Sequence, residues 1–416
     1  MEIRELKDKK ILILGFGREG RDTFLFLRKL FPKKVIGIAD AKLGLVKPKL
    51  TKGYFGKDYL KAVKDYDVII KSPGIPFKIL PKSALNKIVT QTDIFFANCP
   101  GRIIGITGTK GKSTTSSLIY SILKAGGFKV HLIGNIGEPV LSYIQKTTVN
   151  DIFVYELSSH QLYNLKRSPH IAVLLNIYPE HLDYYRNFKE YSLAKANITL
   201  HQSKDYYFVY NSKDKNVLEI ARRTKAMKIP IQGKYYELDR NAARAVARIF
   251  KVPEKTIFKA ISKFKGLTHR LELVGQFKGI TFYNDALATI PEATIAAIKM
   301  LGNKVETIML GGFDRKIDFK NLAREVLKSK IKTTILFPTT GEKIWEDILA
   351  LSKRKKTPKH FFVNNMKDAV KLAYSETGKG KICLLSTASS SFSIFKDYKE
   401  KGDLFKKYVK RLVSKK

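Results

Sequence analysis

Short apolar runs rich in β-branched residues alternate with stretches of helical periodicity along almost the whole chain. Each run has the length of an ordinary strand. Strands that alternate with helices in this way predict parallel sheets covered by helices, which is an α/β fold. The predicted strands span residues 10–15, 35–40, 68–72, 103–107, 152–156, 173–177, 307–311 and 383–386.

The chain is long enough for several domains, because its 416 residues exceed what one ordinary hydrophobic core supports. Glycine-centred turns of the kind that binds phosphate begin three blocks, near residues 15, 105 and 311. We therefore predict three domains, which span residues 1–94, 95–266 and 267–416.

The composition fits a soluble globular protein, with 44% hydrophobic and 28% charged residues. The sequence contains no apolar run of membrane-spanning length, and its first residues lack the layout of a signal peptide. Cys99 and Cys383 lie far apart and form neither a disulfide framework nor a zinc cluster. We therefore expect a cytoplasmic protein without membrane insertion.

The formal net charge of +41 results from 78 Lys and Arg residues against 37 Asp and Glu residues. Such an excess would suit a polyanionic partner such as nucleic acid. The lysines are, however, spread along the whole chain, without a dense basic tail. We interpret them as a solvated surface and expect no nucleic-acid partner, with a nucleic-acid-dependent NTPase as one alternative.

The strongest local motif directly follows the predicted strand at 103–107 and reads Gly-Thr-Lys-Gly-Lys-Ser-Thr. Backbone N–H groups of such a loop wrap a phosphate at the positive end of the following helix. Lys112 would reach the outer phosphates of ATP, and the Ser113 hydroxyl would ligate Mg²⁺. The general P-loop motif has glycine where this chain has Ile106. The ATP-binding residues predicted in the loop are Gly108, Thr109, Lys110, Gly111, Lys112, Ser113 and Thr114.

Further candidate ligands for a hard cation follow downstream. Glu156 ends a predicted strand, and side chains at that end point into the crevice where α/β sheets bind ligands. His181 taken alone is more often a structural residue than a ligand. Lys195, read from the residues alone, is one lysine among many.

The first strand leads into a second glycine motif, a G-x-G-x-x-G formed by Gly15, Gly17 and Gly20. Asp40 ends the next predicted strand. This pattern is also that of a dinucleotide-binding Rossmann unit, in which the acidic residue binds the ribose hydroxyls. A NAD-dependent oxidoreductase is therefore another alternative.

The form of the loop at 108–114 is similar to that of the Mur ligase and folylpolyglutamate synthase superfamily. Other segments resemble Mur ligases in the same order along the chain, so that the resemblance extends from residue 11 to residue 405. These segments span residues 71–76, 134–137, 266–270, 283–294, 311–319 and 385–398.

For the central domain, the resemblance implies a second Mg²⁺ held by Glu156 and His181. It also implies that CO₂ carbamylates Lys195, which turns an ammonium into an anionic oxygen ligand for a hard cation. Only a deprotonated lysine can react in this way, and burial favours deprotonation. The implied catalytic residues are Lys112, Glu156, His181 and Lys195. The further ATP-binding residues that it implies are Asn241, Arg270 and Asp285.

The resemblance also implies which residues bind the other substrates. The residues that would bind the uridine diphosphate part are Gly15, Gly17, Asp40, Ser72, Pro73 and Gly74. Asn135 would contact the muramoyl-alanine arm. The residues that would line the amino-acid site are Thr289, Arg315, Ser391 and Phe392.

The implied fold has an N-terminal Rossmann-like domain for the UDP substrate, a central P-loop ATPase-type domain and a C-terminal Rossmann-like domain for the amino acid. The implied activity uses ATP and Mg²⁺ to add D-glutamate to UDP-N-acetylmuramoyl-L-alanine through an acyl phosphate. This step belongs to peptidoglycan precursor synthesis, and hence to cell-wall formation, cell shape and division. We expect a monomer whose central and C-terminal domains close around the substrates.

Four of the departures from the family pattern leave the amino acid open. Ala286 and Leu287 stand where Mur ligases carry Ser and Lys, and Thr387 and Ser393 stand in place of Pro and Asp. Lys316, beside Arg315, is one candidate for the missing positive charge. A ligase of the same superfamily with another amino acid is therefore the nearest alternative.

Overall fold

The computed structural model describes the chain except for residues 45–47, 136–139, 146, 182–183, 234–235, 265, 316, 353–356 and 413–416. The chain divides into two compact units, Met1–Phe264 and Lys265–Lys416. The first unit contains two separate sheets and the second contains one. None of the helices in the described part of the chain has both the length and the apolar surface that a membrane crossing requires.

The first sheet has five parallel strands in the order β3-β2-β1-β4-β5, which is the order of the first five strands of a Rossmann fold. β1 is entirely aliphatic and buried, because a central parallel strand is covered on both faces. The strands are β1 (Ile11–Leu14), β2 (Ile36–Asp40), β3 (Thr51–Phe55), β4 (Val68–Lys71) and β5 (Ile88–Val89), and the helices are α1 (Arg18–Leu30) and α2 (Gln91–Asn98).

The second sheet has six parallel strands in the order β11-β10-β9-β6-β8-β7. The strand before the phosphate loop, β6, therefore lies between β8 and β9. The strands are β6 (Arg102–Thr107), β7 (Val130–Gly134), β8 (Ile152–Glu156), β9 (Ile171–Leu174), β10 (Tyr207–Asn211) and β11 (Met227–Ile231). The helices are α3 (Lys112–Ala125), α4 (Ser159–Leu162), α5 (Phe188–Leu200), α6 (Lys215–Arg223), α7 (Tyr236–Ile249) and α8 (Glu254–Lys263).

The third sheet forms the core of the second unit, in the order β12-β13-β17-β14-β15-β16. Only β12 runs antiparallel to its neighbour among the described strands of this sheet. The strands are β12 (Glu272–Phe277), β13 (Ile280–Asn284), β14 (Val305–Gly311), β15 (Thr333–Phe337), β16 (Lys359–Phe362) and β17 (Ile382–Leu385). The helices are α9 (Pro291–Leu301), α10 (Lys320–Lys328), α11 (Thr340–Ser352), α12 (Met366–Glu376) and α13 (Tyr398–Arg411).

The predicted α/β class is confirmed, and each of the eight predicted strands coincides with or overlaps an observed strand. The largest difference is at β9, which was predicted at 173–177 but ends at Leu174. The chain leaves the sheet there because the Asn176 carbonyl accepts a hydrogen bond from the Thr109 amide instead of a ladder partner. The domain limits at 94/95 and 266/267 stay predictions.

Candidate active site

Three neighbouring strands of the second sheet end at one place. β6 leads into the phosphate loop, β8 ends at Glu156, and β9 is followed closely by Asn176. The carboxyl ends of parallel strands form the crevice in which open α/β sheets bind ligands. The sheet order therefore places a phosphate-type loop beside a carboxylate.

Gly111 gives the phosphate loop its shape. It has a φ of +89°, and a Cβ there would clash with the Asp239 carboxylate of α7. α3 begins at the next residue, so the unbonded amides of its first turn lie at the loop. The Lys112 ammonium lies over the same loop, with hydrogen bonds of 2.9 Å to the Gly108 carbonyl and 3.1 Å to the Thr109 carbonyl.

Lys195, on α5, is 2% exposed. Its Nζ donates to the Gly108 carbonyl at 3.0 Å and to the Thr107 hydroxyl at 3.4 Å. Burial lowers the pKa of this lysine well below its ordinary value, and the neighbouring charge of Lys112 lowers it further. The Lys195 amine is therefore far more readily deprotonated than that of a surface lysine.

Glu156 is 2% exposed, and the two oxygens of its carboxylate differ. Oε1 is 3.4 Å from the Asn135 amide nitrogen, whereas Oε2 is buried without a hydrogen-bond partner. Burial of a hydrogen-bond acceptor without a donor costs free energy, so we expect such an oxygen to bind a ligand. A carboxylate oxygen in this state beside a phosphate loop fits a divalent cation.

The predicted residues around the loop meet at a cavity of about 230 Å³ within the first unit. Its lining residues are Pro73, Gly74, Lys112, Asn135, Ser158, Ser159, His160, Glu180, His181, Tyr191 and Lys195. Glu156 adjoins this cavity through its contact with Asn135. His181 has a φ of +59°, a conformation that is unfavourable for a residue other than glycine and is often found at functional sites.

The glycine turn that follows β1 is tightly packed, so that side chains on two of its glycines would clash with neighbouring atoms. A Cβ on Gly15 would lie 2.8 Å from the Ser72 Cβ, and one on Gly20 would clash with the Gly15 carbonyl. The Asp40 carboxylate accepts hydrogen bonds from the backbone amides of Phe16 at 2.7 Å and of residue 42 at 2.8 Å. Above Gly17 there is open space, which leaves this backbone accessible to a ligand.

The segment at 72–74, which is also expected to bind the UDP substrate, contacts this turn. The Ser72 hydroxyl donates to the Gly15 carbonyl at 2.9 Å, and Pro73 and Gly74 follow into the cavity. Lys71 is 1% exposed, and its ammonium donates to the carbonyls of Ser72 and Ile75. Burial lowers the pKa of Lys71 to about 8. Of the residues expected to bind the UDP substrate and the arm next to it, Pro73, Gly74 and Asn135 therefore line the cavity.

Asp285 is the centre of a polar cluster in the second unit. Its carboxylate accepts hydrogen bonds from the Leu271 amide at 3.0 Å and the Ser386 hydroxyl at 2.8 Å. Burial raises the pKa of Asp285 to about 6, against the lowering effect of these bonds and of the Arg270 charge. One guanidinium nitrogen of Arg270 is buried without a partner.

The residues of this unit that are expected to bind the amino-acid substrate differ in exposure. The Ser391 hydroxyl is buried without a hydrogen-bond partner, whereas the Phe392 side chain is 59% exposed. Thr289 is half-buried and Arg315 is exposed. Lys316, the candidate for the missing charge, lies outside the described residues, as does Gly137.

Asn241 does not line the 230 Å³ cavity described above. It lies in a separate groove of about 540 Å³ together with Arg244 and Arg248, and its amide donates to the Gln232 carbonyl at 2.8 Å. The adenine contact expected for Asn241 stays a prediction.

Sequence comparisons agree with this geometry. The family profile of the Mur ligase middle domain matches residues 106–290, and that of the Mur ligase glutamate ligase domain matches residues 269–389. The UDP-N-acetylmuramoylalanine--D-glutamate ligase of Acetivibrio thermocellus is 31% identical over 98% of this chain and 97% of its own length. The chain belongs to the Mur ligase family. An enzyme of the same name from Clostridium botulinum strain Langeland is 32% identical, with 98% of each chain covered.

Solved Mur ligase structures have the same fold. UDP-N-acetylmuramate-alanine ligase MurC from Thermotoga maritima aligns with a TM-score of 0.60 at 16% identity, over 98% of this chain and 100% of its own. The MurF ligase of the same organism, solved in complex with ADP, aligns with a TM-score of 0.59 at 17% identity, over 98% and 97%. The predicted succession along the chain of a Rossmann-like domain, a P-loop domain and a second Rossmann-like domain is that of this family, and the oxidoreductase alternative is not favoured.

Asn176 is a site residue of this Mur ligase that sequence reasoning missed. Its carbonyl accepts from the Thr109 amide, its Oδ1 accepts from the Lys110 amide at 2.8 Å, and its Nδ2 donates to the Lys110 carbonyl at 3.1 Å. Asn176 therefore holds the phosphate loop from the neighbouring strand. The feature that could have identified Asn176 from the sequence is its position, two residues beyond a strand that pairs with β6.

The substitution Asn176→Ala removes two side-chain hydrogen bonds from this loop. We expect the free energy of unfolding to fall by about 1–3 kcal/mol and the KM for ATP to rise by about tenfold. Thermal unfolding and steady-state kinetics with varied ATP measure the two effects. The exposed Asn303→Ala is the control, and equal KM values for ATP in both variants would contradict the role.

Proposed function

We propose that this Mur ligase adds D-glutamate to UDP-N-acetylmuramoyl-L-alanine with ATP, as a cytoplasmic step of peptidoglycan precursor synthesis. The relatives that carry this enzyme name match nearly the full chain. The observation that carries the proposal is the cavity at which Lys112, His181 and Lys195 meet, next to the buried carboxylate of Glu156. A triphosphate with a divalent cation fits this combination of charges.

In the proposed reaction, the alanyl carboxylate of the UDP-linked substrate attacks the γ-phosphorus of ATP, and ADP leaves. The amine of D-glutamate then attacks the acyl phosphate, and phosphate leaves. The loop at 108–114 holds the triphosphate, and Lys112 neutralises charge on the transferred group. No nucleophile from the protein is required, so the rate depends on positioning and electrostatics.

The cation site that we propose contains Ser113, Glu156, His181 and a carbamylated Lys195. Among the described residues, no three His, Cys, Asp or Glu side chains form a complete metal site. Mg²⁺ commonly takes one or two protein carboxylates and completes its shell with water and substrate phosphates. Bound there, Mg²⁺ would supply charge stabilisation for phosphoryl transfer.

The remaining substrate contacts are proposed as the family pattern places them. Gly15, Gly17 and the segment at 72–74 bind the UDP part, and Asp40 contributes by holding the turn through the Phe16 amide. Asn135 contacts the muramoyl-alanine arm. The amino-acid site consists of Thr289, Arg315, Ser391 and Phe392, and the domain limits at 94/95 and 266/267 belong to the same proposal.

Phosphate release with UDP-N-acetylmuramoyl-L-alanine, ATP and Mg²⁺ tests the proposal. Separate reactions contain D-glutamate, L-glutamate, D-aspartate, L-lysine or no amino acid. We expect release above background only with D-glutamate, and loss of that release when EDTA removes the cation. Release with another amino acid would instead favour the superfamily ligase that the changes at Ala286 and Leu287 leave open.

A further inference from the structure

Tyr184 follows His181 closely in the chain and connects it to the segment after β4 in the first sheet. Its hydroxyl lies 3.0 Å from the Pro73 carbonyl oxygen and 3.1 Å from that of Ile75. Pro73 belongs to the segment at 72–74 that is expected to bind the UDP substrate, whereas His181 is expected to bind the cation. One hydroxyl therefore joins two sides of the cavity that have different expected ligands.

The backbone fixes the position of Tyr184 relative to His181. The His181 carbonyl accepts hydrogen bonds from the amides of Tyr184 and Tyr185, both at 3.0 Å. His181 itself has the left-handed φ of +59°, which persists only when surrounding contacts hold it. A displacement of Tyr184 is therefore passed directly to His181.

The ring of Tyr184 provides a second connection to His181, through His160. The centroids of the Tyr184 and His160 rings are 4.2 Å apart, and those of the His160 and His181 rings are 4.8 Å apart. Both pairs meet edge to face, which is a favourable geometry for aromatic rings. Since both histidines line the cavity, this packing holds Tyr184 in a fixed relation to the site.

The segment after β4 does not depend on Tyr184 for its shape. The Lys71 ammonium, at the end of β4 itself, donates to the carbonyls of Ser72 at 3.0 Å and Ile75 at 2.8 Å. The Ile75 amide also donates to the Ser72 carbonyl at 3.2 Å. Because these bonds lie within the segment and its own strand, the turn can form without the tyrosine. The contact with Tyr184 then serves to fix the turn relative to His181.

The Tyr184 hydroxyl remains a hydrogen-bond donor at neutral pH. Burial raises the pKa of this tyrosine, and the neighbouring Tyr163 and Glu190 raise it further. Backbone carbonyls can only accept, so the contact requires a protonated phenol. The electrostatic surroundings of Tyr184 therefore support the hydrogen bond.

We propose that Tyr184 is a positioning residue that couples the substrate turn at 72–75 to the His181 side of the cavity. A ligand that orders His181 also orders the turn through Tyr184, so that the UDP substrate loses less conformational entropy when it binds. Such coupling is reciprocal, and the UDP substrate strengthens the binding of nucleotide and Mg²⁺ by the same factor. The inference rests on the proposed function, because it uses the ligands assigned there.

A purely structural hydroxyl would give a different result. If Tyr184 only stabilised the turn, its loss would weaken binding of the UDP substrate by the same factor with and without bound nucleotide. As a positioning residue, Tyr184 changes mainly the ratio of these two affinities. That ratio is therefore the quantity that separates the two roles.

The test measures the dissociation constant of UDP-N-acetylmuramoyl-L-alanine from the full chain by calorimetry. Each protein is measured alone and with saturating Mg²⁺ and AMPPNP, an ATP analogue that is not hydrolysed. For the wild type we expect binding to be about tenfold tighter with Mg²⁺ and AMPPNP. For Tyr184→Phe, which keeps the ring and removes the hydroxyl, we expect this ratio to fall to about twofold. The dissociation constant without nucleotide should change by less than about twofold.

Tyr374→Phe is the matched control. It removes from the second unit another tyrosine hydroxyl that donates to a backbone carbonyl, that of Val409 at 2.7 Å. This variant should keep the wild-type ratio. Absence of UDP-substrate binding in both states would overturn the proposed function and this inference with it. Phosphate release with D-glutamate together with an unchanged ratio in Tyr184→Phe would overturn the inference alone.

The inference also fails if nucleotide and Mg²⁺ leave the wild-type affinity unchanged, or if both dissociation constants of Tyr184→Phe rise by the same factor. Should Tyr184→Phe fail to fold, hydrogen exchange of the wild type decides. Mg²⁺ and AMPPNP should then slow amide exchange in a peptide that covers residues 72–80 by about threefold or more. Unchanged exchange in that peptide would contradict the coupling.

Discussion

Replacement of Lys112 by alanine should lower the rate of phosphate release by about 1,000-fold, because in the proposed reaction this cation faces the charge that develops on the transferred phosphoryl group. In the structure, the Lys112 ammonium is held by the carbonyls of Gly108 and Thr109. These bonds place it over the loop before ATP arrives, so little ordering is needed on binding. Steady-state phosphate release with D-glutamate measures the loss.

The stability of Lys112→Ala should change little, because the Gly108 carbonyl keeps its hydrogen bond from Lys195 and the repulsion between the two ammonium groups is removed. Lys124→Ala, an exposed lysine on the same helix α3, is the matched control and should keep full activity. Lys112→Arg is informative too, since it keeps the charge but not the geometry. A variant Lys112→Ala with near wild-type turnover would refute the assignment of this loop to the triphosphate.

The second sheet shows what the sequence was able to predict. The apolar runs within β6 and β8 are short and buried, and their length and β-branched content identify them as strands without other knowledge. The run of β6 also leads into a glycine-rich loop. Lys112 and Glu156 follow from their places at the ends of those strands. The local sequence pattern was sufficient for these two residues because each lies in or next to an element that the pattern itself predicts.

Lys195 and His181 are different, because their roles depend on contacts across the chain. Nothing within α5 distinguishes Lys195 from the other lysines, and only its contact with the Gly108 carbonyl makes it part of the site. The resemblance to Mur ligases supplied both residues, and the structure places both at the cavity of Lys112. Tertiary contacts of this kind have no local signature.

Asn176 and Lys71 were missed for the same reason. Asn176 forms hydrogen bonds with a loop residue that precedes it by 66 positions. In a chain with 78 Lys and Arg residues, composition hides the few lysines that are buried. Burial, which only the fold reveals, is what separates Lys71, Lys195 and Lys401 from the solvated majority.

Conversion of Glu156 to glutamine should lower activity by about 100-fold or more while leaving the fold intact. The substitution keeps the size of the side chain but removes the negative charge that a cation would need. We therefore also expect the Mg²⁺ concentration for half-maximal activity to rise by about tenfold or more. Phosphate release over a range of Mg²⁺ concentrations measures both effects.

The stability of this variant should move in the opposite direction from its activity. Oε2 of Glu156 is buried without a partner, and a neutral amide is less costly to bury than a carboxylate. The free energy of unfolding without ligands should therefore stay equal or rise by up to about 1 kcal/mol. Loss of the negative charge also lowers the pKa of Lys195 further, because Glu156 is one of the groups that favour its ammonium.

Glu219→Gln, at an exposed position of α6, is the matched control and should change neither the Mg²⁺ requirement nor stability. A Glu156→Gln protein that is both inactive and strongly destabilised would mean that the carboxylate serves the fold. Full activity at unchanged Mg²⁺ would remove it from the cation site. Loss of activity with preserved stability is the result that we expect if the buried carboxylate oxygen binds a cation and does not stabilise the fold.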